Sequence, residues 1–332
     1  MPKKVMTAAA ALLLLLLLSG VSLNFVSLGK KEITVVIPRH FTSGEIAARL
    51  YSSGVIMNPL LFKLYIHFKG YEKKLRSGCY AFTSYESIVK VARQMRSGAQ
   101  LPQGLTVPEG LTLRQTADLV EKKGFGSAER FLRIASDYII PYAGVKGPLE
   151  GYLYPDTYKL YLNQGEEEII SAMLARFRYV FTGEMLDRAR DMNLSVREVI
   201  IIASIIEKEY AVEDELPLIS AVFHNRLKEN RHLESCATVL YALGKHKSQL
   251  LYEDLEVESP YNTYKNLGLP PGPICSPGKK AIRAALYPAN AAYRFFVSKA
   301  DGSGRHTFTS TFSQHNRAIR FIKNANKKKK NR

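Results

Sequence analysis

The chain has 332 residues, 46% hydrophobic and 23% charged, and 47 Lys and Arg against 30 Asp and Glu give a formal net charge of +17. That length accommodates two modest domains with real cores, and the hydrophobic share excludes a mainly disordered protein. A basic excess ordinarily points to nucleic acid, but no nucleic-acid motif accompanies it here, so no nucleic-acid partner is expected.

In chain order, Lys3 and Lys4 precede Val5–Leu23, an uncharged stretch that includes seven consecutive leucines. With Asn24–Leu28 the uncharged span 5–28 is long enough to cross a bilayer once as a helix, leaving residues 1–4 as a cytoplasmic N-terminus. A cleaved signal peptide is the alternative, because Ser19-Gly20-Val21-Ser22 offers small residues, although no clear A-x-A site follows. Lys30 and Lys31 weaken the charge asymmetry, yet long domains translocate largely regardless of it. The reading is a single-pass protein of the cytoplasmic (inner) membrane with its body outside. There, an anionic membrane surface or an anionic wall polymer suits the positive charge.

Residues 32–100 read as a small module. Glu32–Ile37 alternates as a strand that Pro38 breaks, Ser43 starts a helix to Tyr51, and Asn58-Pro59 introduces a second helix to Phe68. Ser77–Phe82 returns as a strand and Ser87–Arg96 as a helix, which makes a compact α+β unit. Leu105–Gly110 then repeats the sequence of strand, Pro/Gly break and capped helix, the helix starting at Thr112 and reaching Lys122. From Gly147 the texture changes. Pro148–Tyr158 is rich in Gly, Pro and Tyr, and reads either as a core-packing aromatic turn or as an aromatic and carboxylate wall for sugars. Glu166–Phe181 is a plain amphipathic helix.

Ser195 with Glu198 supplies a capping box for a helix whose body, Val199–Ile206, is apolar on every face, the mark of a buried helix. Glu207 falls on the stripe of Val196, Ile200 and Ala203 and therefore points inward or into a cleft, whereas Glu209 points elsewhere. Apolar surroundings and the negative end of the helix dipole both raise the proton affinity of such a carboxyl, as a general acid requires. The competing reading is a solvated helix end. A further helix runs over Leu216–Leu227, Pro270-Pro271 stiffens a loop after Tyr261-Asn262-Thr263-Tyr264, and Tyr293–Thr309 reads as a hairpin. Lys323 and Lys327–Arg332 make a basic, frayed tail over 323–332. Cys79, Cys236 and Cys275 do not have zinc-site spacing, and no metal or cofactor motif is present. Export permits a disulfide, for which Cys236 with Cys275 is the first pair to test.

Taken together, Leu149–Tyr158, Ala203–Glu209, Val222–Leu227, Tyr261–Tyr264, Gly268–Gly272 and Gly304–Phe308 resemble the endolytic murein transglycosylase (YceG-like) family in order and spacing. The resemblance covers essentially everything after the anchor. It implies a LysM-like subdomain over 32–100, a catalytic region over 101–322, and Glu207 as the catalytic acid/base. Tyr154, Tyr158, Asn225, Tyr261 and Asn262 are the expected cleft lining. The predicted fold class is thus α+β: a transmembrane helix, the small α+β subdomain, then an α+β catalytic domain. The implied substrate is peptidoglycan glycan strands, with no cofactor, with the cytoplasmic membrane as a further contact and with peptidoglycan synthases as candidate partners. A single carboxylate suffices for the implied chemistry, so Glu207 is expected to work without a carboxylate partner. One departure stands out, since Cys236 occupies a position where many members carry Asp, and a Cys236–Cys275 bridge would hold that loop covalently.

Overall fold

The computed structural model describes residues 22, 24–140, 145–244, 247 and 250–330. The anchor expected over 5–28 lies outside the described residues as far as Leu23, apart from Ser22. Its last five residues do not continue a membrane helix. Asn24 is buried and its carbonyl accepts from the Ile88 amide, while the Leu28 amide donates to the Tyr85 carbonyl, so this stretch is fastened to the module behind it. Among the described residues no helix is long and apolar enough to cross a membrane.

The chain separates into two compact units. The first contains the described residues up to Leu105, with 122–126 and 158–165 returning to it. Strand β1 (Glu32–Ile37) turns Val35 and Ile37 inward. Thr42 caps α1 (Ser43–Ser52) through a capping box with Glu45, and Asn58 caps α2 (Pro59–Phe68), where Pro59 fits a position whose amide would have no helical partner. Strand β2 (Gly78–Thr83) pairs antiparallel with β1, Glu32 facing Thr83 and Ile37 facing Gly78. Helix α3 (Ile88–Ser97) then covers the pair and ends at Gly98 in the left-handed region. Leu50, Phe62, Ile66, Tyr80, Val91 and Met95 form the sealed core.

Strand β3 (Gln103–Thr106) leads into the second unit, with α4 (Leu113–Lys122), α5 (Ala128–Ser136) and the short pair β4 (Ile139–Ile140) and β5 (Val145–Lys146). Strand β6 (Thr157–Leu160) pairs with β3. The remainder is mostly helical: α6 (Glu166–Val180), α7 (Gly183–Asp191), α8 (Val196–Glu209), α9 (Leu216–Lys228), α10 (Cys236–Leu243) and α11 (Lys279–Leu286). The hairpin β7 (Phe295–Ser298) and β8 (His306–Thr309) pairs Ser298 with His306, and α12 (Phe312–Lys330) closes the chain. The frayed tail expected over 323–332 is therefore helical through Lys330, since Ala and Lys are good helix formers. The predicted α+β class holds, with sheets of two strands each and helices predominating.

Helix α8 is the centre of the second unit. Its capping box is formed as the Ser195/Glu198 pattern predicts, and every residue from Val199 to Ile206 is buried. Helices α7, α9, α10 and α11 all pack on it, and α11 lies along it most extensively. Within the first unit, the Arg39 guanidinium donates to the carbonyls of Phe125 at 2.9 Å and Leu162 at 3.1 Å, and also to that of Gln164. Arg39→Met leaves these carbonyls without their charged donor and should cost about 2 kcal/mol. A lowered urea midpoint with unchanged slope checks this, and an unmoved midpoint would contradict it.

Candidate functional site

Glu207 sits in the last turn of α8, where the apolar body of the helix gives way to a partly open end. Its Oε2 accepts the Gly278 amide at 2.9 Å, and the Tyr210 hydroxyl donates to the same carboxylate. Gly278 is the N-cap of α11, so its amide is one of those a helix start leaves unpaired. The next amide, that of Lys279, donates to the Tyr154 hydroxyl. The start of α11 thus fixes one catalytic-type carboxylate and one phenol side by side.

A second carboxylate meets the same glycine. A Cβ on Gly278 would lie 1.9 Å from Glu109 Oε1, so the end of that flexible carboxylate side chain rests directly against the glycine. The Glu109 loop is held by two backbone bonds, Gly110 amide to Ser276 carbonyl at 2.9 Å and Ser276 amide to Leu111 carbonyl at 2.8 Å. Lys208 Nζ donates to the Gly110 carbonyl at 3.3 Å. Gly110 itself has φ +77°, and a side chain there would meet Glu207 Cγ at 3.7 Å. Burial pushes the Glu207 carboxyl up to about 7. The Gly278 amide opposes that rise, the Glu109 charge adds to it, and Lys208 and Tyr210 pull it down. Glu207 is therefore about half protonated at neutral pH, and the Glu109 charge is close enough to act on it.

Glu209 turns away, as its position on the helix predicts. Its Oε1 accepts from the Ser235 hydroxyl and, at 3.5 Å, from the Ala237 amide, so it caps α10. Burial raises its proton affinity, but its contacts belong to a structural joint. Glu150 is a third raised carboxyl: burial pushes it up to about 7, while it accepts from the Leu113 amide at 2.9 Å and the Tyr241 hydroxyl at 3.1 Å, tying α4 to α10.

The expected cleft lining is only partly realised. Tyr154 reaches the site through the α11 terminus, but it is buried at 6% exposure and offers no open ring face. Tyr158 is buried in the first unit. The aromatic turn is thus core packing, with Tyr152 edge-on to Phe177 at 5.5 Å. Asn225 spends its amide on the carbonyls of Ala291 and Tyr293, both at 2.8 Å. Asn262 is fully buried and donates to the carbonyls of Leu255 and Val257. Both brace loops, each side-chain amide spending its two N–H donors on backbone carbonyls. Tyr261 remains partly exposed, beside Tyr241 at 4.9 Å.

The bridge expected between Cys236 and Cys275 is not formed. Cys275 is buried against α8, donating to the Ser204 carbonyl, whereas the exposed Cys236 meets the Tyr264 hydroxyl. The loop is held instead by Thr263, which accepts the Ser235 amide and contacts the Thr238 hydroxyl. Among the described residues no three His, Cys, Asp or Glu side chains converge on a metal-holding group. Sequence reasoning missed Glu109 and Gly278, and the faint signal was Pro108-Glu109-Gly110 and Pro277-Gly278, two breaks that each precede a helix.

Known proteins share this arrangement of segments. The chain matches the YceG-like family over residues 35–321. It is 32% identical over 321 residues to the endolytic murein transglycosylase of Bacillus subtilis (strain 168), covering 90% of this chain and 87% of the relative. The endolytic murein transglycosylase of Streptococcus pneumoniae serotype 2 (strain D39 / NCTC 7466) is 32% identical over 323 residues, which cover 87% of this chain and 58% of that longer protein. A crystal structure of a yceG-like protein from Listeria monocytogenes superposes with a TM-score of 0.61 at 33% identity, covering 86% of this chain and 98% of the other.

Two outcomes follow from the carboxyl environments. Glu109→Gln removes a like charge, so Glu207 should titrate lower than about 7 in carboxyl carbon NMR, and an unmoved midpoint would show that the two do not interact. Glu150 is raised from 4.5 to about 7, so the folded state holds its proton through that window and stability falls as pH climbs across it, by about 3 kcal/mol in all. In Glu150→Gln the fall in urea midpoint over the same window should be shallower than in the parent. An equally steep fall would place the pH dependence elsewhere.

Proposed function

The chain belongs to the YceG-like family, and from that membership we propose that it is an endolytic peptidoglycan lytic transglycosylase. The substrate is the glycan strand, cut within its length at the β-1,4 bond between N-acetylmuramic acid and N-acetylglucosamine. The observation that carries this reading is a carboxyl held near neutrality at a partly open helix end, one oxygen already fixed by the Gly278 amide.

In the first step Glu207 gives its proton to the glycosidic oxygen as the bond from that oxygen to the muramic C1 breaks. The positive charge developing at C1 lies near the Glu109 carboxylate and the newly formed Glu207 carboxylate, both of which favour it. In the second step Glu207 takes the proton of the muramic 6-hydroxyl as that oxygen bonds to C1. The product is a 1,6-anhydro end, and Glu207 is again protonated. The nucleophile belongs to the sugar itself, so proximity replaces a bound water and a second carboxylate. The Gly278 amide holds the Glu207 carboxylate through both steps, and Lys208 and Ser276 hold the loop that carries Glu109.

Glu109 supports one rival reading. Two carboxyls beside one glycine are also what a hydrolytic glycosidase needs, one as acid and the other as base or nucleophile, with water as the final acceptor. The two readings separate on product mass and on Glu109→Gln. In a transglycosylase, Glu109→Gln retains activity but its alkaline limit moves to lower pH, because the acid form of Glu207 is lost earlier. In a two-carboxylate hydrolase the same change abolishes turnover.

The setting of the reaction is also part of the proposal. The apolar run Val5–Leu23 anchors the protein in the cytoplasmic (inner) membrane with its body outside, so it reaches nascent strands near the membrane and terminates their elongation beside the synthases that make them. The order strand, helix, helix, strand in residues 32–83, with the two strands antiparallel, supports a LysM-like reading of the first unit.

The decisive measurement is product mass on purified glycan strands. Anhydro-muramic ends one water lighter than hydrolytic ends are expected, and Glu207→Gln should cut the rate by roughly 100-fold or more while leaving strand binding and the fold in place. Hydrolytic ends, or full activity in Glu207→Gln, would overturn the assignment.

A further inference from the structure

Helix α2 is apolar on two opposite faces. Phe62 and Ile66 are fully buried in the first unit's core, with Leu61 and Tyr65 packed beside them. On the other side Leu60, Leu64 and Phe68 are 62%, 44% and 83% exposed. These three recur at every fourth residue, so they form one outward stripe rather than scattered surface leucines. Such a stripe, in a helix already committed on its other side, marks a surface meant to be covered.

Two further observations identify the cover. The first is charge. Lys63 lies on the helix, Lys69 caps it, and Lys73, Lys74 and Arg76 follow at once, against a single acid, Glu72, which faces His67 at 3.3 Å. Lys73, Lys74 and Arg76 line one open pocket together with Arg96. The second is where the chain comes from. The apolar run Val5–Leu23 immediately precedes Asn24, which is bound to the Ile88 amide. Phe25, itself 44% exposed, sets its ring edge-on to Tyr65 of α2 at 6.3 Å. The residues that leave the apolar run are therefore fastened directly to this helix.

We propose that the outward stripe of α2, Leu60, Leu64 and Phe68, docks on the surface of an anionic bilayer, with the cations from Lys63 to Arg76 on the lipid headgroups. The proposal rests on the reading of the apolar run Val5–Leu23 as a membrane anchor, which delivers α2 to the bilayer surface. An interfacial helix of this kind buries one apolar face among the acyl chains and places basic residues at the headgroups. The consequence is orientation: the first unit lies against the membrane instead of swinging freely on its anchor.

The chain contains no Trp, so one introduced tryptophan reports alone. Phe68→Trp alters a side chain that is mostly in solvent and should not disturb folding. The full-length variant is reconstituted in phosphatidylglycerol vesicles with or without brominated acyl chains. The indole emission is expected to shift to the blue and to be lost to bromine quenching, with both effects weaker in phosphatidylcholine. Adding Leu60→Ser and Leu64→Ser should return the emission to that of a water-exposed indole.

Each other result has a definite meaning. A chain that resists alkaline extraction while its indole emission stays red and unquenched overturns the docking and leaves the anchor standing. Blue-shifted but unquenched emission means that protein, such as a second copy, covers the stripe, and this also overturns the docking. Quenching in a chain that alkali extracts completely supports the docking and removes the anchor. Equal quenching in both lipids overturns the role given to the cations.

Discussion

The second unit depends on one close approach, that of Gly278 to two carboxylates. Its amide is bonded to Glu207, and the space a side chain would need is filled by Glu109. Three segments far apart in sequence meet there: the loop after β3, the end of α8 and the start of α11. The backbone bonds between Gly110, Leu111 and Ser276 fasten the loop, so the segments that carry the two carboxylates are joined through main chain. A site built this way holds its acid in position with little to reorganise on binding.

The electrostatic cost of the arrangement is visible. Raising a carboxyl from 4.5 to about 7 means that its ionised form is disfavoured by about 3 kcal/mol relative to water. A structural carboxylate would be expected to recover that by pairing. Glu86 does so, with Ser27, Thr83, Lys90 and the Ser87 amide around it, and is held down at about 2 despite its burial. Glu207 recovers only part, and the neighbouring Glu109 charge adds to the deficit. Stability given up at a group in a partly open position is the usual mark of a functional carboxyl. Glu150 carries a similar rise but is sealed between α4 and α10, where the same physics produces a pH-sensitive joint.

The polar motifs around this centre are scaffolding. His224, Asn225 and Arg226 each satisfy backbone carbonyls: His224 that of Ala285, Asn225 those of Ala291 and Tyr293, and Arg226 those of Leu233 and Arg294. A buried carbonyl without a donor is expensive, so side chains of this kind are needed wherever irregular loops are packed inside a protein. Spacing in the sequence is the same whether an asparagine faces a sugar or a carbonyl, which is why the bracing contacts of Asn225 and Asn262 are not legible there.

Local patterns decided what they physically control. The alternation of Glu32–Ile37, the capping box at Ser195 and Glu198, the unbroken apolar body of α8 and the hairpin before His306 all appear where chain neighbours dictate them, because caps, turns and periodicity act over a few residues. That Glu207 and Glu209 point in different directions follows from helical geometry alone. The tertiary structure decided the rest. Whether Tyr154 is wall or core, whether Cys236 reaches Cys275, and that Glu109 stands beside Glu207 all depend on segments separated by tens to more than a hundred residues. Those contacts are set by packing around α8, and no spacing within a motif encodes how two distant loops come to share one glycine.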